Sequence, residues 1–129
     1  MDSLEFRFAF YARDFERSVS FYRDTLGMEM VGGWDRPDGK GALLSAGGTG
    51  VIEIYGAAEG QTYEGPNPVA INLAIQLENV EAVDNFHQRL AGQGVERIEP
   101  SQDRPWGHRS FAVYNPDDIP IHFYCGLSS

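Results

Sequence analysis

Arg13-Asp14-Phe15-Glu16-Arg17-Ser18-Val19-Ser20-Phe21-Tyr22-Arg23-Asp24-Thr25-Leu26-Gly27 is the stretch on which the fold turns. Phe15, Val19, Tyr22 and Leu26 recur at i, i+4, i+7 and i+11, one face of an α-helix. Asp14 stands where an N-cap side chain belongs, and Gly27 where a left-handed stop belongs. Just upstream, Phe6-Arg7-Phe8-Ala9-Phe10 alternates apolar with polar or small residues, the period of a strand. The combination returns about 65 residues later. Ile71-Asn72-Leu73-Ala74-Ile75 reads as a strand, Glu78-Asn79 leads into a helical face of Val80, Val83, Phe86 and Leu90, and Gly92 and Gly94 end it. Phe6, Phe8 and Phe10 match Ile71, Leu73 and Ile75. Asp14 matches Asn79, and Gly27 matches Gly92.

The second part of each unit repeats as well, with a slightly larger offset. Asp35-Arg36-Pro37 matches Asp103-Arg104-Pro105, and Glu53-Ile54-Tyr55 matches His122-Phe123-Tyr124. Three short strand-like runs follow each helix, over 28–34, 42–45 and 51–55 and then 95–99, 110–114 and 119–124, with Gly- and Pro-containing turns between them. Gly47-Gly48-Thr49-Gly50 lies between two of these runs and opens no helix, so it reads as a hairpin turn and not a phosphate cradle. Residues 57–68 form a Gly- and Pro-rich linker between modules 4–56 and 69–125. One helix covers one face of each module's sheet, and the other face needs burial too. The expectation is a single α+β domain over 1–129: two tandem βαβββ modules whose curved mixed sheets enclose a cleft. Phe6, Phe8, Phe10, Phe15 and Phe86 are expected in the core.

Composition narrows the classes of function. Ten Lys and Arg against 19 Asp and Glu give a net charge of −9, which would repel a nucleic-acid backbone. The acidity serves solubility, or attracts a cationic small molecule. The single cysteine, Cys125, cannot form an internal disulfide. Asp2, Glu5 and Arg7 interrupt any apolar leader, and no run nears the roughly 18 apolar residues of a membrane span. A cytoplasmic protein without membrane or nucleic-acid partners is expected.

The stretch 13–27 resembles the D-x-E-x-S-x-x-F-Y-x-x-x-L-G helix of the vicinal oxygen chelate superfamily, which includes glyoxalase I, extradiol dioxygenases and bleomycin-resistance proteins. Trp106-Gly107-His108-Arg109-Ser110-Phe111 followed by Asn115-Pro116-Asp117-Asp118 is similar to the W-G-x-R-x-F…D-P-x-G segment of the bleomycin-resistance-like branch. The resemblance implies modules paired into a half-barrel cleft. It also implies a homodimer in which Arg7 and Glu53 of one chain would share a cleft with Asn72 and His122 of the other.

In metal-dependent members four inward side chains hold a divalent ion. Carried over by distance from the helix cap and by the last-strand repeat, those positions fall on Arg7, Glu53, Asn72 and His122. The family's pattern there is His and Glu, and this chain departs from it at two of the four. A guanidinium has no lone pair and stays charged, so Arg7 would repel the ion; Asn72 offers only a weak carbonyl oxygen. No metal cofactor is expected. The alternative is a divalent ion on Glu53 and His122, reached if a register shift brings Glu5 to the place of Arg7. Arg7 and Glu53 then read either as an ion pair replacing the metal or as binders of a polar ligand group. His122 is a hydrogen-bonded cleft residue or a candidate acid–base group. Tyr55 and Tyr124 end the last strands and could stack a planar ligand or hold a cation. Trp106 is expected to touch ligand, as the branch resemblance implies, whereas Trp34 is left between hairpin packing and ligand contact. The functional expectation is a protein that binds a small organic molecule, in the manner of drug or natural-product sequestration. The alternative is a glyoxalase-like lyase or isomerase, or a dioxygenase.

Overall fold

A computed structural model describes residues 2–66 and 71–127. The end of the expected linker, 67–68, and the start of the expected second module, 69–70, lie outside the described residues. The chain divides into two compact units, 1–67 and 68–129.

In the first unit, β1 (Phe6–Tyr11) leads through Asp14 into α1 (Phe15–Ser20). The Asp14 carboxylate accepts from the Arg17 N–H at 3.1 Å, satisfying one of the donors that a helix start leaves open. The expected helix runs on to Leu26 in altered form: residues Phe21–Thr25 make a π-turn, and the Leu26 N–H reaches the Phe21 carbonyl at 2.9 Å. Val19, Tyr22 and Leu26 are all buried, so the turn widens without losing its apolar face. Gly27, at φ 80°, ends it in the left-handed conformation that glycine adopts freely. Then come β2 (Met30–Arg36), β3 (Gly39–Gly47) and β4 (Gly50–Gly56), in sheet order β1-β4-β3-β2, with β1 and β4 parallel and the other pairs antiparallel.

The second unit repeats the plan. Its elements are β5 (Leu73–Gln76), α2 (Val80–Gly92), β6 (Gln102–Asp103), β7 (His108–Tyr114) and β8 (Pro120–Gly126), in order β5-β8-β7-β6. The Asn79 side chain caps α2 by accepting from the Ala82 N–H at 2.8 Å. Period two on the strands and 3.6 on the helices then build each core. Phe10, Leu44, Ile52 and Ile54 pack with Val19, Tyr22 and Leu26 in one unit; Phe111, Val113, Ile121 and Phe123 pack with Val83 and Leu90 in the other. Burying each such side chain stabilises by roughly 1.5–3 kcal/mol.

Three expectations are corrected. The curved sheets of a half-barrel are not found: each unit holds an open four-stranded mixed sheet, and neither is curled or closed into a half-barrel. A βαβββ repeat dictates strand order, whereas curl depends on strand tilt and shear, which the repeat does not encode. The run 95–99 is not a strand. It touches β7 through one bridge, Ile98 to Val113, and the outer strand is the two-residue β6 beyond Pro100. Proline has no N–H to give a ladder, which interrupts pairing there. Phe6, expected in the core, is 66% exposed at the first position of an outer strand.

Two local devices hold the second unit. Arg109 donates to Asp84 at 2.8 Å and to Asp103 at 3.0 Å, tying β7 to α2 and to β6, while the Ser101 hydroxyl donates to Asp84 at 2.7 Å. The tight turn after β7 is organised by the Asn115 side-chain oxygen, which accepts from the N–H groups of Asp117 and Ile119, both at 2.9 Å. Asp118 in that turn has φ 64°, where the resembling motif carries glycine.

Two predictions follow from these devices. In urea unfolding, Asp118→Ala should lie about 1 kcal/mol below Asp118→Gly, because both lose the Arg97 ion pair and only alanine meets the left-handed penalty. Arg109 holds the Asp84 carboxyl below its ordinary pKa. Its stabilisation is therefore complete above the unfolded value near pH 4 and is lost as pH falls through the folded value. Asp84→Asn should cost about 1 kcal/mol at pH 7, and the gap from wild type should close on titration toward pH 2.

Candidate functional site

The face of each sheet turned away from its helix is where the polar side chains collect. In the first unit Phe10 meets Tyr22 of the helical segment at 6.2 Å between ring centres, which places Phe8 and Phe10 on the helix side. Alternation then sends Arg7, Ala9 and Tyr11 to the opposite face. The parallel register pairs Arg7 with Val51, Ala9 with Glu53 and Tyr11 with Tyr55, so Glu53 and Tyr55 share that face. On the far side of β4, Leu43 lies opposite Glu53 and Gly41 opposite Tyr55, and Trp34 of β2 lies opposite Gly41.

An aromatic array results. Tyr11 and Tyr55 stack at 4.7 Å, Tyr63 sets its edge on Tyr11 at 4.9 Å, and Trp34 meets Tyr55 edgewise at 6.0 Å. Gly41 is what lets Trp34 lie down on the sheet: a Cβ built there would come far closer than van der Waals contact to the indole Cζ2. Trp34 is therefore packed on its hairpin and also borders the tyrosines. Beside the rings, Arg7 bonds the Glu5 carboxylate and reaches Glu53 at 3.4 Å. Glu5 first, and Glu53 after it, hold the guanidinium above its ordinary pKa. Burial, reinforced by the Glu53 carboxylate that its hydroxyl approaches, raises the Tyr55 pKa, so this phenol is neutral at physiological pH.

In the second unit Phe86 of α2 packs on Phe111 and Phe123, leaving Ser110, Ala112, His122 and Tyr124 on the other face. His122 Nε2 and Asn72 Oδ1 are 3.3 Å apart, and His108 stacks on Tyr124 at 4.6 Å. Trp106 stands 67% exposed in the turn between β6 and β7. His87 packs edgewise on Phe111 with its Nε2 3.1 Å from the Glu99 carbonyl.

The four positions carried over from the resemblance thus form two pairs, Arg7 with Glu53 in one unit and Asn72 with His122 in the other. Their chemistry does not suit a divalent ion. Arg7 brings positive charge and no lone pair, and already engages Glu53; Asn72 is a weak donor. Among the described residues no three His, Cys, Asp or Glu side chains stand where they could share a metal. Tyr11, Tyr63 and His108 are site-face residues that sequence reasoning missed. Tyr11 was reachable, since counting by twos from Arg7 along β1 ends on it. Tyr63 was not, because it comes from an irregular segment without period.

Two units of strand–helix–three strands define the α+β class of tandem βαβββ proteins. Within that class, the chain belongs to the Glyoxalase/Bleomycin resistance protein/Dioxygenase superfamily, which residues 6–123 match. The uncharacterized protein YwkD of Bacillus subtilis (strain 168) is 29% identical over 122 residues, covering 90% of this chain and 91% of that protein. A glyoxylase/bleomycin resistance protein/dioxygenase domain from Frankia sp. EAN1pec is similar in structure, with a TM-score of 0.79 at 18% identity over 100% of this chain and 95% of that one. TnmS3, an antibiotic binding protein from Streptomyces sp. CB03234, has a TM-score of 0.74 at 19% identity, over 98% of this chain and 97% of its own. Likeness at these identities bears on the fold. Among the described residues no helix is long and apolar enough to cross a membrane.

Gly41→Ala tests how Trp34 is seated. The added methyl must displace the indole, so the variant should lose about 1–3 kcal/mol and shift the tryptophan emission to the red. An unchanged spectrum and melting curve would mean that Trp34 does not lie on Gly41.

Proposed function

We propose that this protein binds a small planar organic molecule on the helix-free face of its first sheet, without a catalytic metal. The observation that carries the reading is the array of Tyr11, Tyr55, Tyr63 and Trp34 set beside the Arg7–Glu53 pair. Flat rings gathered on a strand face offer stacking area at little cost in side-chain freedom, and one charged pair beside them gives orientation. The pair also falls at two of the positions to which the family resemblance carries metal ligands, and a guanidinium there works against an ion. That a relative in fold is an antibiotic binding protein agrees with a sequestering role. The proposal extends to a homodimer acting in the cytoplasm. His122, with Asn72 beside it, and the exposed Trp106 are assigned as ligand contacts of the second unit.

Saturation-transfer NMR against a panel of two- and three-ring aromatics should find wild-type binders in the micromolar range. Tyr11→Ala with Tyr55→Ala should weaken them at least about tenfold, the loss expected when interface aromatics are removed. A panel without binders, or binding indifferent to the double substitution, would overturn the reading.

A further inference from the structure

The charge arrangement on this face selects among planar molecules. Glu53 is largely buried, its side chain 12% exposed; its neighbours across the ladder are Ala9 and Leu43, and the Tyr55 hydroxyl approaches its carboxylate. One neutral hydroxyl does not compensate a charge whose water has been taken away, so the carboxylate also needs a positive partner. Arg7 supplies that partner loosely, at 3.4 Å and from a side chain 41% exposed, and the same guanidinium bonds Glu5 more closely. Two carboxylates share one cation. If Arg7 leaned away from Glu53 it would still keep Glu5, so the cost of releasing Glu53 is small on the arginine's side.

The rings beside Glu53 favour the same sign of charge. Tyr55 follows Glu53 by two residues on the same face, and stacks on Tyr11. The faces of such rings attract cations. Trp34 already receives one from within the chain, the Arg36 guanidinium 5.8 Å from its ring centre, and Arg36 is in turn held by Asp38. Around the array, three carboxylates, Glu5, Glu53 and Asp38, face two guanidiniums, Arg7 and Arg36. The net charge of −9 on the whole chain would further concentrate cations at the surface. An anionic ligand would meet Glu53 and Glu5 with both nearby guanidiniums already engaged, Arg7 by those two carboxylates and Arg36 by Asp38.

We infer that the ligand of this face is a planar organic cation, its charge seated on the Glu53 carboxylate and its rings against Tyr55 and Tyr11. Arg7 is then a resident counter-ion that the ligand displaces from Glu53 and Glu5 retains. This rests on the ligand face proposed above and adds to it the sign of the charge, the anchoring residue and the competitor.

Proflavine, a three-ring cation, and anthracene-2-sulfonate, a three-ring anion, are titrated in low salt against the wild-type protein, and the anisotropy of each dye's own fluorescence reports its binding. Proflavine should bind at least about tenfold more tightly than the sulfonate, the scale of one charge-assisted contact. Glu53→Gln should abolish that preference by weakening proflavine, while Arg7→Met should tighten proflavine several-fold by removing the competitor. Circular dichroism identifies folded variants, and the Arg7 and Glu53 substitutions test the assignment separately. Equal binding of the two dyes, lost together in Tyr55→Ala, would overturn the cation assignment and leave the ligand face standing. Unchanged proflavine affinity in folded Glu53→Gln, or weaker proflavine binding in Arg7→Met, would overturn it as well. Binding of neither dye would overturn both readings.

Discussion

The parallel pairing of β1 with β4 is the constraint on which the first unit depends. Its register sets Phe8 and Phe10 level with Ile52 and Ile54, and Arg7, Ala9 and Tyr11 level with Val51, Glu53 and Tyr55. Because side chains alternate, one register both fills the space under the helical segment and assembles the polar, aromatic face opposite. If β1 slipped by one residue against β4, it would turn over, sending Arg7 into the core and Phe8 and Phe10 to the opposite face. Core and candidate site are thus two consequences of a single alignment. The same holds in the second unit, where the pairing of β5 with β8 places Leu73 opposite Ile121 and Ala74 opposite His122.

The features legible in the sequence were those encoded by short-range rules. Asp14 and Asn79 announce helix starts through oxygens that can accept backbone N–H groups, and Gly27 announces a helix end through its freedom at positive φ. The repeat gave the order of the elements, and the pairing of Arg7 with Glu53 came from aligning it. Features set by geometry across strands were hidden. Whether a four-stranded sheet curls depends on tilt and shear, so the half-barrel expectation had no local warrant. The outer strand of the second unit moved from 95–99 to Gln102–Asp103 because Pro100 interrupts the ladder, a signal that was present but outweighed by the strand-like run before it and the match to the first module. Phe6 fits a strand pattern perfectly well and is still exposed, since periodicity names a face and not its depth.

The two units have diverged in what their equivalent faces carry. In the first, a charged pair lies beside stacked tyrosines and an indole laid over Gly41. In the second, His122 with Asn72 and His108 with Tyr124 present hydrogen-bonding and stacking groups. Gly41 matters to this difference as much as any aromatic residue does, since the missing side chain is the space the indole occupies. The electrostatic ties in the second unit, from Arg109 to Asp84 and Asp103, belong to the helix side of β7 and do not involve His108 or Ser110 on its opposite face.

The proposal that Arg7 stands where the resemblance implies a metal ligand is the centre of this account, and metal content tests it most directly. Purified protein, with and without added Zn²⁺, Ni²⁺, Mn²⁺ or Fe²⁺ followed by desalting, is assayed by inductively coupled plasma mass spectrometry. With Arg7 engaging Glu53, no ion should be retained near one equivalent per chain, either in wild type or in Glu53→Gln and His122→Ala. One equivalent of a divalent ion in wild type, lost in both variants, would contradict it.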